Sequence, residues 1–116
     1  MQPPTSLVLR FRYTDKVNGR QTFAIAVSQS QARKIAEAIE VYAHAAYPVG
    51  GSDCAQVSRE ALLDSAKAFS SIETDGIVQV RKRQRRPLKA AVDWYFSLEG
   101  PGDHTLGPEL SDLFGR

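Results

Sequence analysis

The sequence predicts an α+β fold: an antiparallel sheet of about four strands, in two hairpins, with two main helices packed on one face and a short carboxy-terminal helix. Three observations predict it: period-two alternation near both ends of the chain, helical-period stripes between them, and turn residues at the junctions. Residues 7–47 read as strand, turn, strand, helix. Residues 77–114 repeat that order with a shorter helix, and a helix over 58–70 joins the two halves.

The first hairpin rests on two alternating runs. Leu7, Leu9, Phe11 and Tyr13 share one face, with Val8, Arg10 and Arg12 on the other; Phe23, Ile25 and Val27 then alternate with Thr22, Ala24 and Ala26. Between them, Asp15-Lys16-Val17-Asn18-Gly19 is a turn signal. A two-residue Asn18-Gly19 turn would set Phe11 opposite Ala26 and mix the faces. A three-residue Val17-Asn18-Gly19 loop pairs Tyr13 with Phe23, Phe11 with Ile25 and Leu9 with Val27, so the second register is expected.

Ser28 and Gln31 form a capping box that opens the first helix. Its apolar stripe is Ala32, Ile35, Ala36, Ile39, Tyr42, Ala43 and Ala46, with Arg33, Glu37, Glu40 and His44 on the polar side and Pro48-Val49-Gly50-Gly51 as the stop. A second helix is expected to start at Ser58, stapled by Val57 and Leu62, and to bury Leu62, Ala66 and Phe69.

Ile77-Val78-Gln79-Val80 reads as a third strand entering the run Arg81-Lys82-Arg83-Gln84-Arg85-Arg86. Val92, Trp94, Phe96 and Leu98 then alternate with Asp93, Tyr95 and Ser97. Three consecutive aromatics favour a fourth strand, closing a hairpin around Arg86-Pro87-Leu88 with Val80 opposite Trp94 and Arg81 opposite Asp93. The rival is a helix: Pro87 suits its first turn, Gly100 follows its end, and Leu88, Ala91, Val92 and Tyr95 share a helical face. Gly107-Pro108-Glu109 opens a last short helix whose Leu110, Leu113 and Phe114 dock on the body.

A chain of 116 residues, 42% of them apolar, is sized for one domain over 1–116, with 1–5 as a flexible start and 99–107 as a Gly/Pro-rich link. No apolar run nears the roughly 18 residues of a membrane span, and Met1-Gln2-Pro3-Pro4-Thr5 lacks the character of an export signal, so a cytoplasmic location is expected. Cys54 is the single cysteine, which excludes an internal disulfide and a multi-cysteine metal site.

Charge is the informative quantity. The net value is +2, yet residues 77–89 carry six cations and no acid, whereas residues 51–76 carry two cations and five acids and residues 90–116 one and five. No catalytic constellation stands out: His44 is one helical turn from Glu40 on a polar face, Asp103-His104 lies in a Gly-rich loop, and no cofactor motif is present.

The expectation is a non-enzymatic binding module without cofactors. Arg81, Lys82, Arg83, Arg85 and Arg86 at a hairpin tip, flanked by Lys89, would engage nucleic acid or a nucleoprotein. Arg10 and Arg12 would extend the track on the open sheet face, and Tyr95 would offer a stacking ring. The alternative is a small protein-binding accessory or inhibitor, of the sort phages and mobile elements encode, gripping through Leu110, Leu113 and Phe114. Acidic segments meeting the basic tip of a second copy would make a homodimer.

Overall fold

The computed structural model describes residues 12–15 and 20–115. In chain order these form β1 (Arg12–Asp15), β2 (Arg20–Val27), α1 (Gln29–Ala46), α2 (Asp53–Ser70), β3 (Gly76–Arg81), a 3-10 turn (Lys82–Gln84), α3 (Arg85–Tyr95), a second 3-10 turn (His104–Leu106) and α4 (Gly107–Asp112). The strands make one antiparallel sheet in the order β1-β2-β3. The α+β class therefore stands, but four strands in two hairpins do not. Among the described residues there is one hairpin, β1–β2, and β3 joins β2 only after two intervening helices.

The second hairpin fails because its supposed return strand is α3. Leu88, Ala91, Val92 and Tyr95 fall on one helical face and all four are buried, whereas Asp93 and Trp94 are exposed. A strand would have sent Val92 and Trp94 to the same side. Turn chemistry argues the same way: residues 81–92 contain no Gly, Asn or Asp to take the positive φ of a tight hairpin. The aromatic run's β propensity is overridden by a stripe that buries four side chains at once, of which Leu88 and Val92 each contribute about 1.5–3 kcal/mol. With that hairpin go the Val80–Trp94 and Arg81–Asp93 pairs and the echo between the two halves of the chain.

The first hairpin forms in a different register. Arg12 lies opposite Phe23 and Asp15 opposite Arg20, one residue away from the expected Tyr13–Phe23 pair, so the connection spans residues 16–19. The alternation argument assumed that β2 buries one face only. Ala24, on the other face, is fully buried too, so alternation in β2 does not dictate the partner's register. Leu7, Leu9, Phe11 and the Val17-Asn18-Gly19 loop lie outside the described residues, as does the 1–5 start.

α1 begins where the capping box predicts: the Ser28 hydroxyl accepts from the Gln31 N–H, and the Gln31 side chain accepts from the Ser28 N–H. Ala32, Ile35, Ala36, Ile39 and Ala43 are buried as expected, and Ala38 joins them because α1 is held between α2 and α3 while crossing β2. Ala46 is exposed. No acid stands in the first turn of α1; Asp75, just before β3, instead accepts from the Gln29 N–H at 2.9 Å and supplies the missing negative charge.

α2 starts five residues earlier than expected, with the Ser52 hydroxyl accepting from the Ala55 N–H. Val57 is 66% exposed, so it makes no staple, although Leu62, Ala66 and Phe69 are buried as expected. The side chains of Phe23, Ile25, Val27, Val78 and Val80 complete one core with the helices. The end of the chain closes it: Leu110 and Phe114 are fully buried, Phe114 packs 6.0 Å from Phe69, and Gln31 donates to Glu109.

The Tyr95 hydroxyl donates to the Glu37 carboxylate at 2.5 Å and joins α3 to α1. That hydrogen bond, helped by burial and by the Glu37 charge, raises the phenol from 10.0 to about 12. An unfolded chain releases this proton near pH 10, while the folded chain keeps it. Stability contributed by the phenol is therefore complete below pH 10 and is lost as pH rises toward 12. Urea unfolding at stepped alkaline pH should show Tyr95→Phe losing about 1 kcal/mol below pH 10 and lacking this alkaline decline; an unchanged decline would mean the phenol is not its source.

Candidate anion-binding corner

β3 ends at Arg81, the chain tightens into the 3-10 turn Lys82–Gln84, and α3 starts at Arg85. The basic run is thus a strand-to-helix corner and not the tip of a protruding β-ribbon. Its cations are divided by what they touch. Arg85 is half-buried: its Nε donates to the Phe114 carbonyl at 2.6 Å, and its guanidinium carbon lies 5.5 Å from the centre of the Phe23 ring. Gly115, at φ +91°, presents its Cα to this guanidinium, where a Cβ would collide with the Arg85 Nη2. Arg85 is a clamp between the sheet and the carboxy-terminal tail.

Lys89, one turn into α3, reaches Asp93 at 3.1 Å. Arg81, Arg83 and Arg86 are exposed and Lys82 is half-buried; none of these four makes an ion pair among the described residues. The start of α3 adds to the positive field. It has no side-chain cap and no acid in its first turn, so nothing there offsets the helix dipole.

The other expected participants are elsewhere. Arg10 lies outside the described residues; Arg12 is placed in β1 opposite Phe23. Tyr95 is 7% exposed and bonded to Glu37, so its ring is no stacking platform. Leu110 and Phe114 are enclosed in the chain's own core, and Leu113 is half-buried against it. Among the described residues the exposed aromatic is Trp94, 38% accessible and 5.8 Å from Tyr42.

Sequence reasoning missed a groove of about 220 Å³ between α2 and the end of β3, lined by Ala61, Asp64, Ser65 and Ala68 on one side and by Gln79, Val80, Arg81 and Gln84 on the other. Its signal was present as small residues at 61, 65 and 68, one helical face of α2. His44 and Cys54 are exposed. Asp103 caps the second 3-10 turn, where the Thr105 hydroxyl and N–H both donate to it and hold its carboxyl below the usual range. Among the described residues, no three His, Cys, Asp or Glu side chains converge as metal ligands, and no helix is long and apolar enough to cross a membrane.

No protein family, curated protein or solved structure matches this chain.

The division of the cations is testable by stability alone. Arg85→Ala should cost about 2 kcal/mol in urea unfolding, because it removes a charged donor from a carbonyl and a cation from a ring. Arg83→Ala, at an exposed side chain, should stay within about 0.5 kcal/mol of the parent chain. Equal effects would show that the two arginines do not differ in this way.

Proposed function

We propose that this chain is a non-enzymatic module that docks an anionic partner, a nucleic acid or nucleoprotein, through Arg81, Lys82, Arg83 and Arg86. One observation supports this best: four neighbouring cations share a corner without ion pairs among the described residues, while Arg85 and Lys89 beside them are occupied. An arginine fork matches the oxygens of a phosphate, and a row of phosphates is the ligand that serves several such forks at once. The unopposed amino-terminal end of α3 attracts the same charge.

The acidic segments limit the footprint. Residues 51–76 and 90–116 each carry five acids, so the contact is confined to the corner and does not spread over a basic face. A short footprint implies binding that is modest in strength and sensitive to salt, with at most about four phosphates neutralised.

Titrations of labelled single- and double-stranded DNA and RNA over a series of salt concentrations test the reading. Arg83→Ala and Arg86→Ala should each lower the logarithmic salt slope by about 0.7–0.9 and weaken all sequences alike. Arg81→Ala should act in the same direction. Absence of binding at low salt, or binding indifferent to Arg83 and Arg86, would reject the proposal.

A further inference from the structure

The sheet order leaves β3 on an edge, with β2 on one side and no strand on the other among the described residues. Natural edges are blunted by proline, bulges, inward-pointing charges or very short strands. β3 has no proline, bulge or inward-pointing charge, and its one edge charge, Arg81, stands at its end. It runs six residues, Gly-Ile-Val-Gln-Val-Arg, and pairs with β2 without interruption from Gly76 to Arg81. α2 does not close the edge either, because its small side chains leave the groove beside Gln79, Val80 and Arg81 open.

Charge says what fits there. Period two puts Ile77, Gln79 and Arg81 on the open face of β3, and all three are exposed, as is Asp75 in the bend just before the strand. Ile77 is 46% exposed, large and apolar in the middle of that row. The row is acidic where the strand begins and basic where it ends. An antiparallel copy of the same row reverses that polarity.

We propose that β3 is a self-association edge: two copies of this chain pair β3 to β3, antiparallel about a two-fold axis at Val78, into one continuous sheet. In that register Arg81 stands opposite the partner's Asp75, and Ile77 opposite the partner's Gln79, each pair occurring twice. Arg81 has no ion pair among the described residues to give up. Asp75 keeps its bond from the Gln29 N–H through Oδ1, and its Oδ2 makes no hydrogen bond among the described residues. Asp64 also lines the groove but forms no ion pair with Arg81.

The neighbouring registers do worse. Moving the axis by one residue along the strand, to Gln79, sets Arg81 opposite the partner's Ile77 and leaves Asp75 beyond the paired segment. Moving the axis by one residue the other way, to Ile77, sets Arg81 opposite the partner's Glu73, three residues before β3, and leaves only residues 76–78 paired strand to strand. A parallel pairing lays acid beside acid and base beside base. The antiparallel register about Val78 matches the charges and keeps both ends of the strand paired. The proposal is independent of the anionic-partner reading, because it concerns the chain alone.

Sedimentation equilibrium of the full chain, free of nucleic acid, tests it. The parent chain should show a concentration-dependent doubling of mass that weakens as salt is raised. Arg81→Glu, at a side chain with no ion pair among the described residues, should weaken the dimer about tenfold or more, since two cross-strand pairs become repulsive. Asp75→Lys should do the same, and Asp75→Asn, which retains an acceptor for Gln29, should give a smaller loss. The deciding measurement mixes Arg81→Glu with Asp75→Lys in equal amounts. Each variant alone repels its own copy, whereas a mixed pair has attractive charges at both ends, so the mixture should regain the dimer. A parent chain monomeric up to about 1 mM, a dimer indifferent to Arg81→Glu, or folded variants whose mixture stays monomeric would each overturn the proposal.

Discussion

The burial of one face of α3 against α1 is the constraint on which the rest of the structure depends. Leu88, Ala91, Val92 and Tyr95 leave water together, and they can do so only if the chain turns helical immediately after β3. That turn leaves β3 without a hairpin partner and places it on the sheet edge. It also compresses the basic run into a 3-10 turn and one helical turn, where side chains fan out from a corner. The same helix carries Tyr95 to Glu37 and Arg85 to the Phe114 carbonyl, so α1, the sheet and the end of the chain are all tied to it.

Within the basic run, position along the helix decides what each cation does. Arg85, where α3 begins, faces inward far enough to lie over Phe23 and to donate to the Phe114 carbonyl. Lys89 follows one turn later with Asp93 one turn further, a spacing that brings opposite charges together on a helix surface. Arg83, in the 3-10 turn before the helix, and Arg86, one residue past its start, are exposed to solvent. A run of like charges in sequence is thus sorted by helical geometry into a clamp, a surface pair and an unpaired remainder.

How much of this was legible in the sequence follows from where the signals are local. The capping box at Ser28 and Gln31 is local, and α1 begins there. The stripe Leu62, Ala66 and Phe69 is local, and it is buried. The fourth strand is misread because Trp94-Tyr95-Phe96 has strong β character as a triplet, and the competing helical stripe gains from packing against α1 and α4, contacts between separate parts of the chain. The hairpin register was misread because the cover over Ala24 is likewise not written in β2 itself. For the site, the cluster of cations was evident, but Arg85's attachment to Phe114 joins residues 29 positions apart and has no local signature.

The edge and the corner share Arg81, and that sharing sets how the two proposed surfaces relate. Pairing of two copies about Val78 would turn each Arg81 toward an aspartate and withdraw it from a polyanion. Lys82, Arg83 and Arg86 lie beyond the strand's end and would remain available. Six residues separate Arg81 from its symmetry mate along the paired strands, which at about 3.4 Å per residue sets the two corners roughly 20 Å apart. Two short, weak corners held at a fixed separation bind a long polyanion more tightly than either alone, because the second contact is made at a high effective concentration. In such a dimer the loss of one cation per copy would be offset by the second corner, and an edge that would otherwise invite unspecific sheet growth would be capped by its own two-fold partner.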